Sequence, residues 1–127
     1  MTSNSKKQQA QPTNAELEIL QVLWLHGPNT VRFVNDELNL KKATHYTSTL
    51  KLMQIMTEKG LLDRNTDEMK HVYTAIIEER ETKNVLLEKF IESMYNGSAS
   101  KLMIQLLGNK KTTRKDLEEI RKIVNNL

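Results

Sequence analysis

The chain contains no cysteine, which excludes disulfide frameworks, thiolate metal sites and cysteine nucleophiles. Proline occurs twice and glycine four times in 127 residues, so the few breakers stand out as boundaries rather than filling loops. No apolar run approaches the ~20 residues that a bilayer-spanning helix needs, and nothing reads as membrane-inserted. Met1 to Pro12 is rich in Ser, Asn, Gln and Lys and lacks the apolar segment of a secretory signal, so a cytoplasmic location is expected. Acidic residues are missing from one long stretch, Leu38 to Thr57. That gap leaves the surface there neutral or positive.

Catalytic and metal patterns are also missing. No glycine-rich phosphate loop or serine-elbow motif occurs. His26, His45 and His71 lack the i, i+4 spacing of a zinc-binding helix and fall in separate elements, which points to surface or capping roles and to no metal. Glu16/Glu18, Glu78/Glu79/Glu81 and Glu118/Glu119 stand beside Lys or Arg, as solvated helix faces do. Six methionines, several in helical segments, read as core filler. Asn96-Gly97-Ser98 matches a glycosylation sequon, yet without a secretory signal it reads as a helix C-cap. We expect no enzyme and no cofactor.

What remains is a chain sized for one compact domain or a small domain plus an oligomerisation arm. The formal charge is +3 and the pI about 9.1, with the basic excess spread over both halves. So mild a balance permits nucleic-acid binding without requiring it. Where the basic residues sit therefore decides more than their number.

Along the chain, residues 1–12 read as a flexible tail too polar to bury anything. Thr13-Asn14-Ala15-Glu16 fits a capping box that opens a helix with Leu17, Leu20, Leu23 and Trp24 on its apolar face, widened by Ile19 and Val22. His26-Gly27-Pro28 ends it. Thr30 caps a short helix to about Leu38 with Val31, Val34 and Leu38 inward. A turn at 39–43 carries Lys41-Lys42, and a third helix spans roughly His45 to Lys59 with Thr49, Leu52, Met53 and Met56 inward. After Lys59-Gly60 come a short apolar strand, Leu61-Leu62, a charged turn and a second strand, Val72-Tyr73-Thr74.

This order of elements is a winged helix-turn-helix, over residues 13–75. The third helix carries Thr47, Ser48, Lys51 and Gln54 on one polar stripe, with Tyr46 at its start and Lys42 just before it. A helix of this kind fits the major groove, where such side chains reach base edges. Leu50 and Ile55 intrude on the polar side, and one of them is a candidate contact for a thymine methyl. In the hairpin, Arg64, Lys70 and His71 are placed to contact phosphates or enter the minor groove, which supplies affinity without reading sequence.

Residues 76–127 differ in character. Leu87, Phe90, Ile91 and Met94 make one helical stripe that stops at Asn96-Gly97. Leu102, Met103, Leu106 and Leu107 belong to a segment that is apolar around most of its circumference. Thr113 opens a last helix with Leu117, Ile120, Val124 and Leu127 inward. Such helices have little core of their own, and a second copy of the chain would bury them. The expected fold is mainly α with a small β-hairpin wing: a winged helix followed by a helical dimerisation arm.

Four segments carry a family resemblance. Ala15-Glu16-Leu17-Glu18-Ile19-Leu20-Gln21-Val22-Leu23-Trp24 resembles the opening helix of the penicillinase-repressor family (BlaI/MecI type). Tyr46-Thr47-Ser48-Thr49 and Glu58-Lys59-Gly60-Leu61-Leu62 resemble its recognition helix and wing entry, and Leu117-Glu118-Glu119-Ile120-Arg121 its last helix. The resemblance implies a homodimeric repressor on a palindromic double-stranded DNA operator. It also implies induction through a membrane sensor whose signalling ends in cleavage of the dimerisation arm. Family members cut in this way carry an Asn-Phe bond; Gln105-Leu106 stands at the matching position. Copper-responsive relatives have a cysteine-rich C-terminus, which this chain lacks. The alternative from another class is a winged-helix adaptor that binds proteins instead of DNA, and strongly salt-dependent duplex binding would separate the two.

Overall fold

The structure, a computed structural model, describes residues 11–67 and 69–127. The tail expected over residues 1–12 lies outside the described residues except for Gln11 and Pro12. The chain divides into two compact units, one ending at Lys83 and the other running from Asn84 to Leu127.

The first unit opens with α1 (Asn14–His26). Its start is fixed by the expected capping box: the Glu16 N–H donates to Thr13 Oγ1 at 3.2 Å, and the Thr13 N–H donates to Glu16 Oε1 at 2.9 Å. Gly27 ends it at φ 83, a left-handed value that a side chain would resist, while its N–H still reaches the Leu23 carbonyl at 2.8 Å. Helix α2 (Val31–Asn39) begins at Thr30, whose hydroxyl accepts the Phe33 N–H at 3.2 Å. Helix α3 (Tyr46–Glu58) sits one residue inside each end of its expected span.

Strands β1 (Leu62–Asn65) and β2 (Val72–Ala75) form the hairpin, antiparallel, with Leu62 opposite Ala75 and Arg64 opposite Tyr73. The first strand starts later and runs further than the Leu61-Leu62 expectation. Leu61 is still bound to the helix end, its N–H donating to the Met56 carbonyl at 2.9 Å. The sequence also gave no sign that Asn29 would pair with Tyr73, through hydrogen bonds of 3.0 and 2.9 Å, adding a one-residue third strand to the wing.

The core joins all these elements: Ile19, Leu20 and Leu23 from α1, Val31 and Val34 from α2, Met53 and Met56 from α3, then Leu61, Leu62 and Tyr73. Each such side chain is worth about 1.5–3 kcal/mol when buried, so their sum outweighs any single cap or ion pair. Leu52, expected to point inward, is only half-buried, and so are Leu17 and Trp24. The Trp24 indole N–H donates to the Ile77 carbonyl at 3.1 Å, tying α1 to the chain that leaves the wing.

Glu16 departs from expectation. Its carboxylate is not a solvated face but 2% exposed, because Lys59 reaches back from the end of α3 and places Nζ 2.7 and 2.9 Å from its two oxygens. Burial alone would raise the Glu16 pKa. The hydrogen bonds from Lys59 and Thr13 outweigh it and hold the carboxyl below its usual range.

Helix α4 (Glu79–Tyr95) starts in the first unit and continues into the second, which also holds α5 (Ala99–Leu107) and α6 (Arg114–Asn125). Asn96-Gly97-Ser98 does close α4, with Asn96 at φ 51 and the Gly97 N–H on the Ile91 carbonyl at 3.1 Å. A second capping box, Thr113 with Asp116, opens α6. There the Thr113 backbone N–H, donating to Asp116, holds that carboxyl below its usual range. None of these three helices contributes a fully buried side chain.

Candidate nucleic-acid interface

Helices α2 and α3 are locked together from inside. The Thr49 hydroxyl donates to Asn35 Oδ1 at 2.7 Å, and both residues are buried. A polar pair of this kind is directional, so it fixes the rotation of α3 about its axis where methionines alone would let it slide. The intervening turn is held by Asn39, whose amide donates to the carbonyls of Asn35 (2.7 Å) and Thr44 (2.9 Å) and accepts the Thr44 N–H at 3.0 Å. Among the described residues, no buried polar side-chain atom is left without a partner. The position of α3 is thus determined by bonds, not only by packing.

With α3 fixed in this way, Tyr46, Thr47, Ser48, Lys51 and Gln54 are all exposed, while Thr49, Met53 and Met56 are buried. From Thr47 to Gln54 the helix rises about 10 Å, a distance comparable to three base-pair steps of about 3.4 Å each. His45 is the N-cap residue of α3 and makes no side-chain capping bond. The apolar intrusion expected at Leu50 is resolved by tertiary packing, since Leu50 is half-buried against the core. Ile55 remains 38% exposed.

The other candidates are distributed around this helix. Lys42 is exposed in the turn before α3. Arg64 is exposed on β1, and Lys70 and His71 are exposed just before β2. Tyr46, Lys70 and His71 come together on one groove of about 380 Å³, which Leu50 and Tyr73 also line; Arg64 is not part of its wall. His26 lies elsewhere, its Nε2 3.2 Å from Glu37 Oε1 and its ring edge-on to Phe33.

One residue of this groove was missed in the sequence. Arg32, the second residue of α2, lies with its guanidinium carbon 5.0 Å from the centre of the Tyr46 ring. A lone arginine on a short helix gives no signal of its own. Only the fold brings it beside the start of α3.

In the second unit, the residues expected to meet a partner subunit are largely uncovered. Leu87, Phe90, Met94, Met103, Leu106, Leu107, Ile120 and Val124 range from 43% exposed at Leu106 to 65% at Leu107, and Ile91 and Leu102 are half-buried. Gln105 and Leu106 both lie exposed within α5. No helix among the described residues is long and apolar enough to cross a membrane.

A three-helix core with a tightly fixed, polar third helix leading into a β-hairpin defines a winged helix-turn-helix. The penicillinase repressor family model matches residues 12–126, and the chain belongs to that family of DNA-binding transcriptional repressors. It is similar to the methicillin resistance regulatory protein MecI of Staphylococcus aureus (strain N315), with 23% identity over 113 residues, 89% of this chain and 92% of that one. It is likewise similar to the penicillinase repressor of Bacillus licheniformis, 28% identical over 115 residues, 90% of this chain and 89% of the relative. The MecI of Mammaliicoccus sciuri is 22% identical over 113 residues, 89% of this chain and 92% of its own.

Proposed function

We propose that this repressor acts in the cytoplasm as a homodimer on a palindromic operator and occludes a promoter sterically. Residues 13–75 form the DNA-binding domain and residues 76–127 the dimerisation arm. Ser48, Lys51 and Gln54 face the major groove, with Thr47 beside them. Lys42, Tyr46, Arg64 and Lys70 meet the backbone. The observation that carries this reading is the rotation of α3: the buried Thr49–Asn35 bond accompanies an outward face of Thr47, Ser48, Lys51 and Gln54.

The arm supports the dimer part of the proposal. Its apolar stripes are exposed in the single chain, a state that a second copy relieves, and two linked half-sites bind with an avidity that one domain lacks. Repression ends when the dimer is lost. Scission at Gln105-Leu106, at the end of a pathway that starts from a membrane sensor, is the route we assign to induction.

A salt titration of duplex binding tests the reading. We expect a duplex selected by the protein from a random pool to be bound with a steep, linear dependence of log affinity on log salt. The triple Ser48/Lys51/Gln54 alanine variant, shown folded by its melting curve, should lose that duplex. Undiminished affinity in the triple variant would remove α3 from the interface and favour the adaptor reading.

A further inference from the structure

We infer that the groove between the start of α2, the start of α3 and the wing seats one DNA backbone phosphate, and that Arg32 is the residue that holds it. The inference rests on the DNA-binding reading above and adds to it a contact from outside the recognition helix and the wing.

Three observations converge on this groove. First, its volume of about 380 Å³ is ample for a phosphodiester. Second, cations stand on two of its walls: Arg32 from α2 and Lys70 from the wing. The described residues give Arg32 no carboxylate partner, the ion pairs present being His26–Glu37, Lys59–Glu16 and Lys83–Glu79. Third, Arg32 lies over the Tyr46 ring at 5.0 Å. An arginine left to solvent samples many rotamers, whereas one stacked on an aromatic face is already oriented, so less entropy is lost when it binds. A planar guanidinium held in this way offers parallel N–H donors that match two phosphate oxygens.

The arrangement also explains why Tyr46 belongs at the first position of α3. Its ring carries Arg32 on one side of the groove while the same helix presents Thr47, Ser48 and Lys51 outward. Docking on the backbone and reading of the bases thereby share one rigid element, and the phosphate contact sets the depth at which α3 enters the major groove. A phosphate contact of this kind positions the protein without specifying sequence.

The test uses the full-length protein and a duplex that the wild type selects from a random pool. Arg32→Ala should weaken binding about tenfold and flatten the salt slope by about one unit, with the selected consensus unchanged. Arg32→Lys keeps the charge but not the fork or the stacking, and should recover only a minor part of the loss. Tyr46→Leu should reproduce part of the Arg32→Ala defect and add little to it in the double variant. A scan of single methylphosphonates along the duplex should then find one position that weakens the wild type and erases the difference between wild type and Arg32→Ala. Inorganic phosphate at constant ionic strength should leave that difference intact.

Wild-type affinity and slope in Arg32→Ala would overturn the proposal, as would a scan with no position that equalises the two proteins. Saturable occupation of the groove by inorganic phosphate would reassign it to a small anion. If the wild type bound no duplex in a salt-dependent way, the DNA-binding reading itself would fail, an outcome separate from a defect confined to Arg32.

Discussion

Replacing Lys59 by methionine removes the cation that faces Glu16 and keeps a long apolar stem. In the native protein the Glu16 carboxylate is 2% exposed and receives Lys59 Nζ at 2.7 and 2.9 Å and the Thr13 N–H at 2.9 Å. Without Lys59 a single backbone N–H remains opposite a charge that is still shut away from water. Breaking a buried pair from one side costs roughly 3–5 kcal/mol. The Lys59 side chain is 25% exposed, so the pair is not wholly desolvated, and about 2–3 kcal/mol is the expected loss at neutral pH. For a unit this small that corresponds to a fall in Tm of roughly 10–20 °C.

The pH dependence of this loss separates it from a packing defect. In the native protein burial opposes ionisation of Glu16, but Lys59 and Thr13 prevail, and its folded pKa lies below the ordinary 4.5. Its contribution is therefore fully present above that value and is lost as pH falls through the lower folded pKa. In Lys59→Met the burial remains while its main counterweight is gone. The folded pKa then rises relative to that of the wild type, and the variant gains stability relative to wild type as pH falls. Melting of the full chain, followed by the fluorescence of its one tryptophan, Trp24, reports on the unit that contains the pair. The gap between the two proteins should be widest at neutral pH and should narrow as pH falls below 4.5 through the folded pKa of the wild type. A gap that stayed constant over that range, or that never exceeded about 0.5 kcal/mol, would refute the reasoning.

Further outcomes follow from the proposed division of labour. Ser48→Ala and Gln54→Ala should each alter base preference at one operator position, at a cost of about 1–3 kcal/mol, whereas Lys51→Ala should weaken all duplexes alike if it meets phosphate; quantitative binding to a panel of point-substituted duplexes distinguishes the two. Arg64→Ala and Lys70→Ala should lower affinity with the selected consensus intact, and a shifted consensus at full affinity would mean that the wing reads bases. Met103→Asp should give a monomer whose winged helix melts normally but binds the operator far more weakly, because a charge placed in an apolar interface has no partner. Sedimentation of that variant as a stable dimer with full operator affinity would show that α5 is not the interface.

Element order was legible in the chain because caps and periodicity are local. Thr13 to Glu16, Gly27-Pro28, Thr30 and Asn96-Gly97 each carry their own hydrogen-bonding or conformational demand within a few residues. The helical spacing of apolar residues then marked the inward rows, although Leu17, Trp24 and Leu52 are only half-buried, and the acid-free stretch from Leu38 to Thr57 marked α3 as the polar helix. These readings need no knowledge of what lies far off in the chain. They sufficed for the winged helix-turn-helix; the family was legible through the resemblance of residues 15–24, 46–49, 58–62 and 117–121 to known repressors.

Tertiary structure decided what depends on residues distant in sequence. Glu16 and Lys59 are 43 positions apart, so a carboxylate that looks solvated on its own helix becomes the most buried charge among the described residues. Arg32 and Tyr46 meet across the turn between α2 and α3, and Asn29 pairs with Tyr73 to extend the wing. Leu50 looked misplaced on a polar face until the core closed against it. In each case the local pattern leaves the orientation open, and the choice falls to a partner that only the folded chain brings within hydrogen-bonding or packing distance.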